Sequence, residues 1–145
     1  MEGNKIILGH YERQVDAKGR IIIPPTFLVP PKEEMAICQD NDMFFKIYRL
    51  ECLKGLVIKA LNKRDGSIAD KEIYSAIQSR IDQLMSCILE QSHLDNQRRM
   101  IIPAKSLPEE GRKVILLGSG DHIKLFNKSS NYDLFVKENR SHILL

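Results

Sequence analysis

The spacing of apolar residues divides the chain into strand-like ends and a helical middle. The triplet Ile21-Ile22-Ile23 is β-branched, follows the segment Asp16-Ala17-Lys18-Gly19 and is stopped by Pro24-Pro25. An aspartate hydrogen-bonds the backbone ahead of it and a glycine supplies positive φ, so this reads as a tight turn into a short strand. From residue 50 the period lengthens. Leu50, Leu53, Leu56, Val57, Ala60 and Leu61 fall at helical spacing, with Gly66 after them as a stop. Ser67-Ile68-Ala69-Asp70 has the form of a capping box and predicts a second helix, striped by Ile73, Ile77, Ile81, Leu84 and Ile88. Ser130-Asn131-Tyr132-Asp133 predicts the cap of a last short helix through Tyr132, Phe135 and Val136. Helices with one apolar face need cover, from the strand-rich body or from a neighbouring chain.

The two strand-rich ends repeat each other. Val15-Asp16-Ala17-Lys18-Gly19-Arg20-Ile21-Ile22-Ile23-Pro24 is echoed by Leu94-Asp95-Asn96-Gln97-Arg98-Arg99-Met100-Ile101-Ile102-Pro103. Both copies read apolar-Asp-x-x-x-Arg-apolar-Ile-Ile-Pro. The echo continues: Met35-Ala36-Ile37-Cys38 parallels Val114-Ile115-Leu116-Leu117, and Lys46-Ile47-Tyr48 parallels Lys124-Leu125-Phe126. Two copies are too few for a solenoid. They fit a duplicated half-domain whose halves pack on each other: residues 8–52, a helical connection over 53–89, and residues 90–137.

Composition narrows the classes. The 145 residues carry 43% hydrophobic and 28% charged residues, enough for a core and unlike a disordered chain. The longest apolar runs are Met35 to Cys38 and Val114 to Leu117, far short of a membrane span. Met1 to Lys5 leads only into Ile6-Ile7-Leu8, too short for a signal-peptide core, which predicts a cytoplasmic protein. Cys38, Cys52 and Cys87 form neither a disulfide framework nor a zinc knuckle and read as packing residues. A net charge of +3 permits a polyanion partner without demanding one.

Enzyme signatures are missing. His10, His93, His122 and His142 show no metal-ligand spacing, Ser119 in Gly118-Ser119-Gly120 lacks the spacing of a nucleophile elbow, and no glycine pattern forms a phosphate loop. His93 reads as a packed or turn histidine. The reading is a non-enzyme with no metal and no small-molecule cofactor.

The segment from Tyr11 to Pro24, the second Asp-x-x-x-Arg copy, and Val114 to Gly120 before His122-Ile123-Lys124-Leu125-Phe126 resemble the MraZ family of bacterial transcription regulators, which is related to the AbrB/SpoVT proteins. The resemblance covers nearly the whole chain. It implies an α+β, mainly β fold: a β-barrel of interleaved, swapped hairpins in which one chain supplies both halves of a pseudo-dimer. It also implies a homo-oligomeric ring, typically an octamer, that binds short direct repeats of double-stranded DNA. Those repeats lie upstream of its own gene and the division and cell-wall cluster, which it represses or tunes, in the cytoplasm and on the nucleoid. The motif arginines, here Arg20 and Arg99, are implicated in DNA contact, with Asp16 and Asp95 as orienting partners. The family pattern has glycine before each motif arginine, whereas the second copy here has Arg98, which would alter the turn or add a phosphate contact. Tryptophan, frequent in relatives, is absent.

Each Asp–Arg pair also has a purely structural reading, a turn closed by an ion pair. The two readings are compatible, because a guanidinium held by a carboxylate is pre-organised for a phosphate or a guanine edge. Arg13, Lys18, Arg98 and Lys105 lie near the motifs as supporting phosphate contacts, against an alternative as ordinary solvated surface. A different class of function, an AbrB-like antitoxin or an oligomeric protein-interaction scaffold, would use the helical stripes to hold a partner.

Overall fold

The computed structural model describes residues 6–141, so Met1–Lys5 and His142 lie outside the described residues. Strands β1 (His10–Gln14), β2 (Arg20–Ile22), β3 (Glu34–Cys38) and β4 (Phe45–Arg49) lead into helix α1 (Leu50–Asp65). After helix α2 (Lys71–Ser86) the order repeats, with β5 (Ile88–His93), β6 (Arg99–Ile101), β7 (Lys113–Gly118), β8 (Ile123–Phe126) and helix α3 (Ser129–Ser141).

The topology has a pseudo-twofold. Six strands form one antiparallel sheet in the order β1-β7-β8-β4-β3-β5, and β2 and β6 form a separate two-stranded ribbon. Exchanging the two sets of strands, β1 for β5 through β4 for β8, reproduces the same order read backwards. The exchange is also a swap of hairpin partners. β1 pairs with β7 from the other copy, Tyr11 opposite Leu116, and β5 pairs with β3, Ala36 opposite Gln91. The fold is therefore α+β, mainly β, with the two copies interleaved as the family resemblance implied.

The alternation within the strands sets the core. Ile21, Ile23, Met100 and Ile102 from the ribbon strands and the residues after them join Ile37, Ile47, Leu116, Ile123 and Leu125 of the sheet in one buried cluster. The ribbon thus lies across the sheet with one face inward. A second cluster, Ala36, Cys38, Tyr48 and Leu53, fills the opposite side of β3 and β4 under α1, with Leu84, Cys87 and Ile88 packed against it. Burial pushes the Cys38 thiol up to about 12, as suits a packing residue. Helix α3 occupies the equivalent place beside β7 and β8. Its Tyr132 and Phe135 rings stand 5.3 and 5.4 Å from that of Phe126.

The helical middle differs in three details from its sequence pattern. The cap of α2 is Asp70, whose carboxylate accepts the Glu72 and Ile73 amides, while Ser67 donates to the Lys63 carbonyl and closes α1. Aspartate is the stronger acceptor at a helix N-terminus, because its charge also favours the dipole. The stripe ends early. Ile88 begins β5, and among the helical members Ile81 is buried whereas Ile73 is 48% exposed. α1 and α2 pack on each other as a hairpin that touches the sheet at its base, so the distal part of the stripe has no strand to cover. The Arg64 guanidinium, stacked 5.2 Å from the Tyr74 ring, ties the two helices together.

Candidate functional site

Both Asp-x-x-x-Arg segments fold into the same turn. In the first, one carboxylate oxygen of Asp16 accepts the Lys18 and Arg20 amides at 2.9 and 2.8 Å, and the other accepts Nε of Arg20 at 2.7 Å. In the second, Asp95 accepts the Gln97 and Arg99 amides at 2.9 and 2.8 Å and Nε of Arg99 at 2.7 Å. The backbone closes each turn as well: the Asp16 amide donates to the Arg20 carbonyl and the Gly19 amide to the Asp16 carbonyl, with the Asp95 turn matching. The amide of the motif arginine, then its guanidinium, hold each carboxyl below the usual aspartate range. Both aspartates are charged at neutral pH.

The position before the arginine requires a left-handed backbone in both copies. Gly19 has φ +77°, and Arg98 takes φ +58° in its place. The departure from glycine therefore leaves the turn unaltered. Arg98 is tied into the molecule instead, its Nε donating to the Val29 carbonyl at 3.2 Å across the two copies. The copies are further locked by reciprocal bonds, Ile23 amide to Arg98 carbonyl and Ile102 amide to Gly19 carbonyl, each 2.9 Å.

The turns lead directly into the ribbon, where Arg20 faces Ile101, Ile21 faces Met100 and Ile22 faces Arg99. Side chains alternate along a strand. Ile21 and Met100 point into the core at 1% exposure, and Arg20, Ile22, Arg99 and Ile101 form the outer face. The ion pairs engage only the Nε edge of each guanidinium, which leaves the paired Nη groups at its tip for an outside acceptor.

The supporting cations are more scattered. Lys18 is exposed at the tip of the first turn, the place held by Gln97 in the second. Arg13 lies on β1 with its guanidinium 5.3 Å over the Tyr11 ring, and Tyr11 is fixed edge-on to Phe27 and by the Thr26 hydroxyl. Lys105 sits in the short helical turn Ala104–Ser106, its carbonyl accepting from Asn127. His93 is an exposed residue of β5 opposite Glu34, not a packed one. Sequence reasoning did not single out the apolar half of the ribbon's outer face. Its signal was present in the alternation Arg20-Ile21-Ile22-Ile23, where every second residue must turn away from the core. Among the described residues no His, Cys, Asp and Glu cluster could hold a metal, and no helix is long and apolar enough to cross a membrane.

No protein-family model matches the chain. Curated relatives do. The transcriptional regulator MraZ of Thermoanaerobacter sp. (strain X514) is 26% identical over 147 residues, spanning 95% of this chain and 96% of the relative. MraZ of Thermoanaerobacter pseudethanolicus is 25% identical over the same span, and MraZ of Mycoplasmoides gallisepticum 22% identical over 136 residues, 92% of this chain. With two matched turns, an interleaved fold and relatives aligned almost end to end, the chain is similar at the level of the family to the MraZ transcriptional regulators.

Proposed function

We propose that this chain is a DNA-binding transcriptional regulator of the MraZ kind, and that the outer face of the β2–β6 ribbon with its two turns is the DNA surface. The observation that carries the reading is the duplicated presentation of an arginine. Arg20 and Arg99 stand on one face, each fixed by a carboxylate, and are related by the pseudo-twofold. A two-stranded antiparallel ribbon has the dimensions of a major-groove reader, and bidentate arginine–guanine pairing is the commonest specific contact there. Lys18, Arg98 and Arg13 supply phosphate contacts that set register. Asp16 and Asp95 orient the arginines and are not themselves readers.

The finer reading follows the family resemblance. The chain assembles into a homo-oligomeric ring, an octamer in the usual case. It binds short direct repeats upstream of its own gene and the division and cell-wall cluster, in the cytoplasm at the nucleoid. Exposed Ile58 and Met85 on the helical hairpin and Leu134 on α3 favour contact with neighbouring copies. A ring matches repeated sites through effective concentration, so several DNA repeats bind more tightly than one. In this reading the chain has no enzymatic activity of its own and uses no cofactor.

The test is a fluorescence-anisotropy titration of the DNA upstream of the gene against a shuffled fragment at two salt concentrations. Preference for the native fragment that weakens with salt is the expected result. Equal, weak binding to both refutes the reading and favours a protein-interaction module whose partner sits on the helices.

A further inference from the structure

We propose that Ile22 and Ile101 read thymine methyl groups in the major groove, as the apolar half of the specificity whose polar half is Arg20 and Arg99. The inference rests on the DNA-binding reading above and assigns base chemistry to residues that reading leaves idle.

Four side chains make the outer face of the ribbon, and they form a checkerboard. Arg20 stands opposite Ile101, and Ile22 stands opposite Arg99. The two isoleucines are 47% and 50% exposed, although their strand neighbours Ile21, Ile23 and Met100 are at most 1% exposed. The chain therefore has the means to bury isoleucine here and twice leaves one outward, at positions equivalent under the pseudo-twofold. An apolar group flanked by cations marks a surface that meets something both apolar and anionic. The turns and ribbon strands carry Lys18, Arg20, Arg98 and Arg99, while their two carboxylates, Asp16 and Asp95, are consumed by the arginines. Charge complementarity selects a polyanion. Within the major groove of duplex DNA the apolar feature is the C5-methyl of thymine.

The register adds a geometric requirement. The pseudo-twofold passes through the Ile21–Met100 pair, so the two isoleucines address opposite strands of the duplex. As diagonal neighbours in an antiparallel ladder they lie about 7–8 Å apart. That corresponds to roughly two base-pair steps at about 3.4 Å each along a strand. The two thymines should accordingly sit within a few base pairs of each other, one on each strand.

The experiment uses the full chain and the native upstream fragment, with each thymine replaced singly by deoxyuridine, which lacks only the methyl group. Wild-type protein, Ile22→Ala and Ile101→Ala are titrated by anisotropy, and thermal unfolding of each variant checks that these half-exposed changes leave the fold intact. Two deoxyuridine positions should weaken wild-type binding about fourfold each, the partition cost of one methyl-sized group. At one the loss should disappear in Ile22→Ala, and at the other in Ile101→Ala. Native preference with no deoxyuridine effect, or with effects that persist in both variants, overturns the inference and leaves the DNA-binding reading standing. Failure of wild-type protein to prefer the native fragment overturns both.

Discussion

Replacing Gly118 by alanine should loosen one edge of the fold, by an amount the backbone geometry sets. Gly118 ends β7 where the segment before β1 crosses it. A Cβ built there lies 2.8 Å from the carbonyl carbon and oxygen of Ile7 and from the amide nitrogen of Leu8. Carbon atoms in good contact are about 3.5–4.0 Å apart, so something must move by more than half an ångström. The obstruction is main chain and has no rotamer to adopt. It is also held on both sides: the Gly118 amide donates to the Gly9 carbonyl at 2.7 Å, and Ile7 and Gly120 exchange bonds at 2.9 and 3.0 Å. If the contact is merely strained, over-packing costs ~1–3 kcal/mol. If the segment peels away instead, the side chain of Ile7, now 6% exposed, returns to water, which costs at most ~1.5–3 kcal/mol before the freed residues regain entropy. Both routes predict a loss of about 1–3 kcal/mol in urea unfolding. Hydrogen exchange locates it, because the Ile7 and Gly120 amides should lose protection while that of Ile115, opposite Phe126 in the β7–β8 ladder, keeps it. A variant with unchanged midpoint and full protection at Ile7 would refute the close-approach argument.

The remaining predictions concern the turns, the titrating groups and the aromatic cluster. Arg98→Gly should change stability by no more than about 1 kcal/mol, because relief of left-handed strain is offset by unfolded-chain entropy and the lost bond to Val29. Gly19→Ala has open space, with only the Ile102 carbonyl at 4.0 Å, so urea unfolding should show only the backbone cost of about 1 kcal/mol. Arg20→Ala should keep the turn, since the amides of Lys18 and residue 20 still reach Asp16, yet weaken binding to upstream DNA by ~1–3 kcal/mol in anisotropy titrations. Unfolding of this variant would favour a structural ion pair. His122 donates from Nδ1 to Asp121 and accepts from the Lys124 ammonium at Nε2, 2.9 Å away. Burial, then the lysine charge, depresses its pKa below 6.5. Its contribution is therefore complete above pH 6.5 and is lost as pH falls through the lowered folded value, a slope that His122→Gln should reduce in unfolding midpoints measured from pH 7.5 to 5. Phe126→Ala, which empties the contact with Tyr132 and Phe135, should cost ~3–5 kcal/mol by thermal or urea unfolding.

The duplicated motif was legible because both copies spell out their own hydrogen-bond plan. Asp16 and Asp95 stand at fixed distance from an arginine and before a β-branched run, which is sufficient to specify a turn and a strand from local chemistry. The pairing of the copies is less local. Nothing in the order of residues states that β1 must seek β7 and not β3, because hairpin swapping depends on how two similar sheets share one core. Gly118 illustrates a second kind of opacity. In sequence, Gly118-Ser119-Gly120 invites a comparison with catalytic serines, whereas its first glycine answers to a chain crossing more than a hundred positions away. Arg98 was opaque for the opposite reason. A non-glycine residue in a left-handed turn looks like a disruption until the Val29 carbonyl, supplied by the other copy, shows what its side chain gains.

The structural and recognition readings of the Asp–Arg pair divide between the two oxygens of each carboxylate. One oxygen accepts two main-chain amides and would be needed in any protein that turned here. The other accepts only Nε of the arginine, and the turn would close without it. As a fold device, that second bond adds an ion pair to a turn the amides already close. As part of an interface, it fixes χ angles before contact, which removes an entropic cost of binding for a long side chain. Asp16→Asn retains an acceptor oxygen for the amides but presents nitrogen or a neutral oxygen to the guanidinium. If the pair exists for recognition, this variant should unfold nearly as the wild type does while its discrimination between native and shuffled DNA falls. If instead stability drops and discrimination survives, the carboxylate serves the turn alone, and the arginine has been given its place by the fold and not by a ligand.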